Sequence, residues 1–304
     1  MIDITSKNPT LRTAIAVSHV TTRYETIAMI ENGEVPKGDV LSISRSAGIM
    51  AAKNTSAVLP LCHPLSVEYT DIDLELKPSE GTIKITCTVS GVAKTGFEME
   101  ALNGAMTAAL NAYDMLKPVN NSLSIEKTYL QEKKGGKSDF KDRVPQDFKA
   151  SVIVCSDSIS AGMKKDKAGQ IISEKLSKQG IPTETYEIIP DDPEQIQEKV
   201  GKSLSLNHQL IILTGGTGLS PRDVTPESVR PMLDREVPGI MEAARQYGME
   251  RTPYAMLSRG IAGVCGNALI LTLPGSSRGA AETMDALFPS VLHIYPMMAM
   301  AEHS

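Results

Sequence analysis

A single charged segment most constrains how this chain can fold. Residues 133–148 read KKGGKSDFKDRVPQDF, with two glycines, one proline and almost no apolar side chains. This composition is typical of a linker, because it offers little apolar surface to bury in a core. The chain has 304 residues, which suits two domains of about 150 residues each. We therefore expect a first domain over residues 1–143 and a second over residues 149–304.

The composition is that of an ordinary globular protein. Apolar residues make up 41% and charged residues 22% of the chain, which excludes disordered, collagen-like and coiled-coil proteins. Aromatic residues make up only 4%, no Trp is present, and the net charge is -5. Single-stranded nucleic acid is bound by stacking aromatics in a basic groove, so this composition argues against a nucleic-acid partner.

The sequence also indicates a compartment. No apolar run follows a basic patch near the N-terminus, and no apolar stretch is long enough to cross a membrane. The four cysteines form no C-x-x-C pair and are too few for a disulfide framework. We expect a reduced, cytoplasmic protein without a membrane partner.

The first half predicts an antiparallel α+β domain. Residues 67–76 alternate polar and apolar side chains and predict a strand, and residues 82–89 predict the second arm of a hairpin. Helices are predicted over Ile43–Ala57 and Glu98–Lys117. In the longer helix, the apolar residues at spacings of three and four are expected to face the core: Leu102, Met106, Ala109, Leu110, Tyr113 and Leu116.

The second half predicts a doubly wound, mostly parallel α/β sheet. Apolar runs predict strands at residues 150–155, 185–189, 209–213 and 268–273, and a loop and a helix follow each one. Ligands of such sheets bind beyond the carboxyl ends of the strands. We therefore expect the four loops that follow the strands to meet at one rim.

One of these loops, residues 214–223, reads TGGTGLSPRD. Gly215, Gly216 and Gly218, with Thr217 between them, would let backbone N–H groups approach an anion at the start of a helix. A proline stands where a dinucleotide-binding fingerprint has its third glycine, which excludes that site. The alternative is a glycine turn that only reverses the chain.

Two aspartates at this rim are candidates for metal or proton chemistry. Asp223 beside a bound phosphate implies a cation between them, and Mg²⁺ held by carboxylates and substrate phosphates is suitable. Thr225 is expected to cap the next helix, which leaves Asp223 available. Asp191 follows a strand, whereas Asp192 is interpreted as a helix N-cap. Ser276 either binds phosphate or caps a helix.

Four motifs stand in the second half: TGGTGLSPRDVTPE, PGIMEAAR, LSRGIAG and LILTLPGSSRG. Together they resemble the molybdopterin-binding domain of the MogA/MoaB group. The resemblance implies a Rossmann-like fold, often trimeric, which binds molybdopterin and in catalytic members adenylylates it with Mg²⁺ and ATP. By motif, the two important carboxylates are Asp191 and Asp223. Since MoaB members share these motifs, a non-catalytic molybdopterin-binding or assembly module is the alternative.

In the first half, the candidate residues include a histidine between Cys62 and Pro64. His63 is interpreted either as structural or as a proton carrier, and a metal site with Cys62 is not expected. On the long helix, Asp114 and Lys117 are three residues apart and predict an ion pair. Glu100 lies about 21 Å from Asp114 along a continuous helix. We expect the two to contact opposite ends of a long ligand or to complete sites with different subunits.

Six motifs of the first half are KGDV, AGI-x-AAK, LPLCHPL, KTG-x-EMEAL, AAL-x-x-YDM-x-K and GGKSDF. Together they resemble the MoaC family, the cyclic pyranopterin monophosphate synthases of molybdenum-cofactor biosynthesis. The resemblance implies a ferredoxin-like α+β fold and a hexamer of dimers with active sites at the dimer interface. It also implies that a 3′,8-cyclised dihydro-GTP becomes a cyclic phosphate with loss of pyrophosphate.

The MoaC resemblance also implies roles for individual residues. The acid/base aspartate is Asp114, and the catalytic lysines are Lys37, Lys117 and Lys133, with Lys134 as the alternative to the last. The substrate contacts are Leu61, Cys62, His63, Met99 and Glu100. These residue types suit proton transfer and the loss of pyrophosphate. Clustered lysines are also expected to lower one another's pKa, which would make one of them a general base.

The two motif sets together predict a bifunctional protein of molybdenum-cofactor biosynthesis. Its substrates are pterins and nucleotides, its second domain uses Mg²⁺ and ATP, and its first domain needs no bound organic cofactor. A homo-oligomer, hexameric or built from trimers, is expected. The rival is a general nucleotide-binding phosphotransferase, which tight ATP binding without a pterin would support.

Overall fold

The computed structural model describes residues 1–136, 139 and 147–301, and the chain divides into the units Met1–Phe140 and Lys141–Ser304. Each unit has its own hydrophobic core. The described residues form no helix long and apolar enough to cross a bilayer. Lys133 and Lys134, the first residues of the predicted linker, belong instead to a strand. Lys137, Ser138 and Phe140 of the GGKSDF motif, and the predicted boundary at residue 143, lie outside the described residues.

The first unit packs helices against a four-stranded antiparallel sheet. Its elements in chain order are β1 (Thr10–Thr21), α1 (Tyr24–Glu31), α2 (Val40–Lys53), α3 (Thr55–Val58), β2 (Tyr69–Lys77), β3 (Thr82–Ala93), α4 (Glu98–Leu116) and β4 (Ser124–Lys134). The strand order is β2-β3-β1-β4, and every neighbouring pair is antiparallel. The predicted hairpin is confirmed as β2 and β3, joined through Gly81 at φ 58°.

Helix α4 is confirmed, but its predicted buried face is wrong in part. Met106 and Leu110 are 53% and 60% exposed, and the buried face is made largely of alanine and glycine. A Cβ on Gly104 would lie 2.6 Å from Cys87 Sγ, and one on Gly48 of α2 would lie 2.8 Å from the Gly104 carbonyl oxygen. Small residues therefore let α4 approach the sheet and α2 closely, and the larger apolar side chains point outwards.

The second unit is the expected mostly parallel sheet with helices on both faces. Its elements are β5 (Ala150–Cys155), α5 (Asp157–Ser160), α6 (Ala168–Lys178), β6 (Thr183–Ile189), α7 (Pro193–Ser205), β7 (Leu210–Thr214), α8 (Thr225–Val229), β8 (Arg235–Glu236), α9 (Pro238–Met249), β9 (Ala262–Cys265), β10 (Ala268–Leu273), α10 (Ser277–Leu287) and α11 (Ile294–Ala301). The strand order is β6-β5-β7-β10-β9-β8.

The burial of the strands explains this arrangement. β5, β7 and β10 are parallel and buried along their whole length, as expected for strands covered on both faces. One core cluster includes residues of α6, α9 and α10, and another includes residues of α7 and α8. The antiparallel strands β8 and β9 and the helix α9 have no counterpart in the prediction.

Candidate functional site

Asp114 lies near the end of α4 between two lysines, and we call these three residues the Asp114 cluster. Lys37 Nζ lies 2.6 Å from Asp114 Oδ2, and Lys117 Nζ lies 2.7 Å from Asp114 Oδ1. Lys37 also donates a hydrogen bond to the backbone oxygen of Asp114 at 2.8 Å. The predicted ion pair with Lys117 is confirmed, and the fold adds Lys37 from the loop before α2.

The lysines determine how Asp114 is ionised. Hydrogen bonds from Lys117 and then Lys37 lower the pKa of Asp114 to about 2. The same carboxylate raises the pKa of Lys117. The expectation that neighbouring lysines would lower that pKa is therefore wrong, because the carboxylate lies between them. Asp114 is ionised at neutral pH, so it can accept a proton or orient the lysines, but it has no proton to donate.

A second group of predicted residues gathers at the other end of α4. Glu100 is only 3% exposed, and Cys62 Sγ donates to its Oε1 at 3.8 Å. Its Oε2 is buried without a hydrogen-bond partner among the described residues. Burial raises the pKa of Glu100, and burial together with Glu100 raises the pKa of Cys62. The two carboxyl groups therefore shift in opposite directions: burial raises the pKa of Glu100, whereas the lysines lower the pKa of Asp114.

We use the name Glu100 cluster for Glu100 and Cys62 together with the predicted residues that neighbour them in the chain or contact the start of α4. His63 Nε2 lies 2.8 Å from the backbone oxygen of Ile2. Leu61 and Met99 are exposed by 73% and 41%. Lys133 Nζ lies 3.5 Å from an oxygen of Glu98, the first residue of α4.

Helix α4 is continuous from Glu98 to Leu116. The separation of about 21 Å between Glu100 and Asp114 therefore holds within one chain. The structure brings the predicted residues of the first unit together as two clusters, not as one site.

A cavity of about 220 Å³ adjoins the Glu100 cluster. Two of the cationic residues that line it were not predicted as site residues from the sequence. Lys7 and Arg12 line it together with Lys133 and Lys134. The Nε atom of Arg12 is buried without a hydrogen-bond partner among the described residues. Neither Lys7 nor Arg12 belongs to a motif that indicates a site. A single cationic residue in a strand or before it has no distinctive sequence pattern.

In the second unit, the four loops meet at one rim as predicted. The backbone N–H of Asp157 donates to Asp191 Oδ2 at 3.1 Å, and the backbone N–H of Asp191 donates to Asp157 Oδ1 at 3.0 Å. Thr214 Oγ1 donates to the Pro274 oxygen at 2.8 Å. Arg222 binds both oxygens of Asp157 at 2.8–3.0 Å. These contacts tie the ends of β5, β6, β7 and β10 together.

The glycine loop passes between the two candidate carboxylates. Gly215 has φ 101°, and a Cβ there would lie 2.0 Å from the Cys155 oxygen. A Cβ on Gly216 would lie 2.9 Å from Asp191 Oδ1, and one on Gly218 would lie 2.9 Å from Asp223 Oδ2. Gly215 is thus required by its positive φ and its approach to the Cys155 backbone, and Gly216 by its positive φ, whereas Gly218 meets only the side chain of Asp223.

The two carboxylates fit a hard divalent cation. Asp191 Oδ1 is buried without a hydrogen-bond partner among the described residues. Burial, together with the charges of Asp157 and Asp223, raises the pKa of Asp191. The described residues contain no group of three or more His, Cys, Asp or Glu that could hold a metal. This donor set suits Mg²⁺, which binds one or two carboxylates and completes its shell with phosphates and water.

Neighbouring polar residues have structural roles. Asp192 caps α7 by accepting from the Gln195 N–H at 3.0 Å, as predicted. Ser276 caps α10 by accepting from the Gly279 N–H at 3.1 Å. The expected cap at Thr225 is wrong, because Val224 is the N-cap and the buried Thr225 is already helical.

A cavity of about 470 Å³ opens beside the glycine loop. One wall consists of predicted residues, namely Gly216, Thr217, Gly218, Asp223 and Ser276. The other wall includes residues of α9 and of the 3₁₀ turn Pro253–Leu257, which the secondary-structure prediction missed. Arg245 and Tyr254 line the cavity from this wall. The PGIMEAAR motif and the start of LSRGIAG lie in this wall, and neither motif gave a role to Arg245.

Comparison with known proteins agrees with this division into two sites. Residues 1–136 match the model of the MoaC family, and residues 151–293 match a model described as "Probable molybdopterin binding domain". A Chlorobaculum tepidum protein named molybdenum cofactor biosynthesis bifunctional protein is 39% identical over 304 residues, which cover 100% of this chain and 96% of that protein. The chain belongs to this bifunctional family.

The two units also have relatives of their own. A cyclic pyranopterin monophosphate synthase of Pelobacter propionicus is 48% identical over 138 residues, which cover 45% of this chain and 86% of that one. A solved MoaB structure from Thermus thermophilus is 40% identical, covers 50% of this chain and 97% of that chain, and gives a TM-score of 0.48. The first unit thus has a relative that it covers over most of that protein's length.

Proposed function

We propose that the first unit converts 3′,8-cyclo-7,8-dihydro-GTP to cyclic pyranopterin monophosphate and releases pyrophosphate. The observation that carries this proposal is the Asp114 cluster, in which one ionised carboxylate holds two lysines at 2.6 and 2.7 Å. The match to the MoaC family and the name of the Pelobacter propionicus relative support it. The strand order β2-β3-β1-β4 supports a ferredoxin-like classification.

The residues of the first unit suit different steps of this reaction. Lys37 and Lys117 supply positive charge for phosphate oxygens, and Asp114 orients them or accepts a proton. Burial raises the pKa of Glu100, so it keeps a proton to a higher pH than an exposed glutamate does, which suits a proton donor to the pterin ring. Because α4 separates the two clusters by about 21 Å, we propose that sites are completed by two copies of the chain.

Complementation tests this shared site. The full-length chain is incubated with 3′,8-cyclo-7,8-dihydro-GTP, and the pyrophosphate and pterin products are measured. Asp114→Asn and Glu100→Gln are each expected to be inactive, whereas mixed oligomers of the two should regain activity, since some sites then carry neither change. Mixed oligomers that stay inactive would contradict a site shared between copies. An inactive wild-type chain would contradict the proposed reaction itself.

We propose that the second unit binds molybdopterin and adenylylates it with ATP, releasing pyrophosphate. The observation that carries this proposal is the position of the glycine loop between Asp191 and Asp223, beside the cavity of about 470 Å³. Asp191 and Asp223 would hold Mg²⁺, which supplies positive charge to the phosphates when bound. The backbone N–H groups of residues 216–218 would bind phosphate oxygens, and the cavity would hold the pterin.

The alternative for the second unit is a module that binds molybdopterin without catalysis. Incubation of the full chain with molybdopterin, ATP and Mg²⁺ separates the two, with adenylylated molybdopterin and pyrophosphate as the readout. Product that is lost in Asp223→Asn supports catalysis. Molybdopterin binding without product, with Asp191 and Asp223 intact, supports the module.

A further inference from the structure

The loop that carries Asp223 is held by bonds within the loop, by the ion pair of Arg222 with Asp157, and by the side chain of Arg259. Within the loop, Asp223 Oδ2 accepts from the Ser220 N–H at 2.8 Å, and the Asp223 N–H donates to the Ser220 oxygen at 2.9 Å. These bonds shape a local turn. They do not fix where that turn lies relative to Asp191.

Two arginine side chains fix that position. Arg222 joins the loop to Asp157, whose backbone N–H binds Asp191 Oδ2, and Arg259 holds the loop backbone. Its Nε donates to the Gly218 oxygen at 2.6 Å, and its Nη2 donates to the Asp223 oxygen at 2.6 Å. Its backbone N–H also donates to the Thr217 oxygen at 3.3 Å. The guanidinium therefore binds both ends of the segment 218–223. Because its donors form a rigid planar fork, it fixes the two carbonyl groups relative to each other.

Arg259 is itself anchored to the core of the unit. Its Nη1 donates to the carboxylate of Glu227 in α8. The next residue, Gly260, packs so closely that a Cβ would lie 2.5 Å from the Thr272 oxygen of β10. Ile261 then donates from its backbone N–H to Thr272 Oγ1 at 2.7 Å. The position of the loop is thus set by the buried strand β10.

We propose that Arg259 is a positioning residue that holds Asp223 in place for the second reaction. The proposal rests on the proposed function of the second unit, in which Asp223 binds Mg²⁺. Arg259 acts through the loop, because its contacts are with backbone oxygens and not with the Asp223 carboxylate. Lysine is a poor replacement, since a single ammonium group lacks the planar fork that reaches three acceptors.

The test combines loop dynamics with metal binding in the full-length chain. Arg259→Met keeps an unbranched side chain that packs like the arginine stem and removes the guanidinium donors. Arg230→Met is the matched control, because the Arg230 guanidinium pairs with Glu236 instead of the loop carbonyl groups. Amide hydrogen exchange is measured for peptides over residues 217–223. Mg²⁺ affinity is measured by calorimetry with α,β-methylene-ATP, which cannot release pyrophosphate.

We expect R259M to exchange the loop amides at least about tenfold faster, with strands β5 and β7 unchanged. Its Mg²⁺ affinity should fall about 10–100-fold, as is typical when the support of a metal ligand is removed. R259K should lie between R259M and the wild type, and R230M should match the wild type. In an Asp223→Asn background, R259M should weaken Mg²⁺ binding by less than about twofold, since the ligand is already absent.

The proposal is overturned if R259M matches R230M in loop exchange and Mg²⁺ affinity. It is also overturned if the double variant loses as much Mg²⁺ affinity as the two single variants together, because Arg259 would then act independently of Asp223. A wild-type chain that binds Mg²⁺ with the analogue but forms no adenylylated product from ATP contradicts the proposed function instead. In that case the role of Arg259 in Mg²⁺ binding is still decided by the same two measurements.

Discussion

Asp114 and Asp191 are the candidate carboxylates of two different reactions, and their surroundings are opposite. Asp114 is half exposed and bound by two lysines, which lower its pKa to about 2. Asp191 is half-buried, one of its oxygens has no hydrogen-bond partner among the residues that the structure describes, and burial and nearby carboxylates raise its pKa. The motif places each aspartate, but the neighbouring side chains set its pKa and therefore its chemistry. Lysines of the protein balance the charge of Asp114, whereas the carboxylates near Asp191 add negative charge to its surroundings.

The largest effect should follow from Asp114→Asn. The change removes the charge that binds both lysines and the proton acceptor, so the first reaction should fall about 10²–10⁴-fold. The second reaction of the same chain should be unchanged and serves as an internal control for folding. Asp73→Asn, at an exposed position of β2, is the matched control. Equal losses in D114N and D73N would remove Asp114 from the first reaction.

Asp191→Asn should have the next largest effect. The variant keeps an oxygen that can accept from the Asp157 N–H but loses the charge for a cation. The second reaction should fall on the order of 100-fold or more at low Mg²⁺. Asp192→Asn is the matched control, because asparagine caps helices as well as aspartate does. If raising Mg²⁺ rescued neither rate nor binding in D191N, and D192N lost as much, the cation role would be wrong.

Asp191→Asn lowers the activity but should raise the stability of the folded protein relative to the wild type at neutral pH. The raised pKa of Asp191 means that its ionised form is disfavoured in the folded state, so the wild type loses stability relative to D191N as pH rises through that pKa. The difference should be below about 1 kcal/mol, because solvent screens a half-buried group. Urea unfolding of both proteins at pH 4 and pH 7 measures it. A D191N protein that becomes relatively less stable at pH 7 would contradict this sign.

The smallest effect concerns His208, a buried histidine that is 2% exposed. It shows how burial alters the pKa of a base, in contrast to the carboxyl group of Asp191. Burial lowers its pKa, so the neutral ring is favoured in the folded state. Its contribution to stability should be present above pH 6.5 and lost as pH falls, by under about 1 kcal/mol. His208→Gln should flatten this part of the stability profile between pH 7 and 5. An unchanged profile would show that other groups cause the loss.

The sequence predicted most elements of the sheet and the convergence of the loops in the second unit. Strand–helix alternation and glycine spacing are local signals, so β5, β7 and the loop at Gly215–Gly218 could be located without a structure. The strands β8 and β9 are two and four residues long, too short for a periodic signal. Helix α9 contains the PGIMEAAR motif, but its position as a cavity wall follows from tertiary packing, which the motif does not show.

The contacts that set the ionisation of Asp114 and the position of the glycine loop could not be predicted from local sequence patterns. Lys37 reaches Asp114 across 77 residues of sequence, and Arg259 reaches Gly218 across 41. The outward face of α4 was missed because apolar spacing alone does not show that a helix packs through alanine and glycine. In both cases the deciding contact is made by residues far apart in the chain, so it follows from the whole fold.

Helix α4 also limits which changes in chain length the first unit can accept. It carries the Glu100 and Asp114 clusters on one uninterrupted helix. Inserting one residue between them would rotate Asp114 by about 100° and advance it by about 1.5 Å. The carboxylate would then turn away from Lys37, which the loop before α2 holds independently. Insertions should therefore be tolerated in the turn at Gly81 but not within α4, whose residue number is fixed by the spacing of the two clusters.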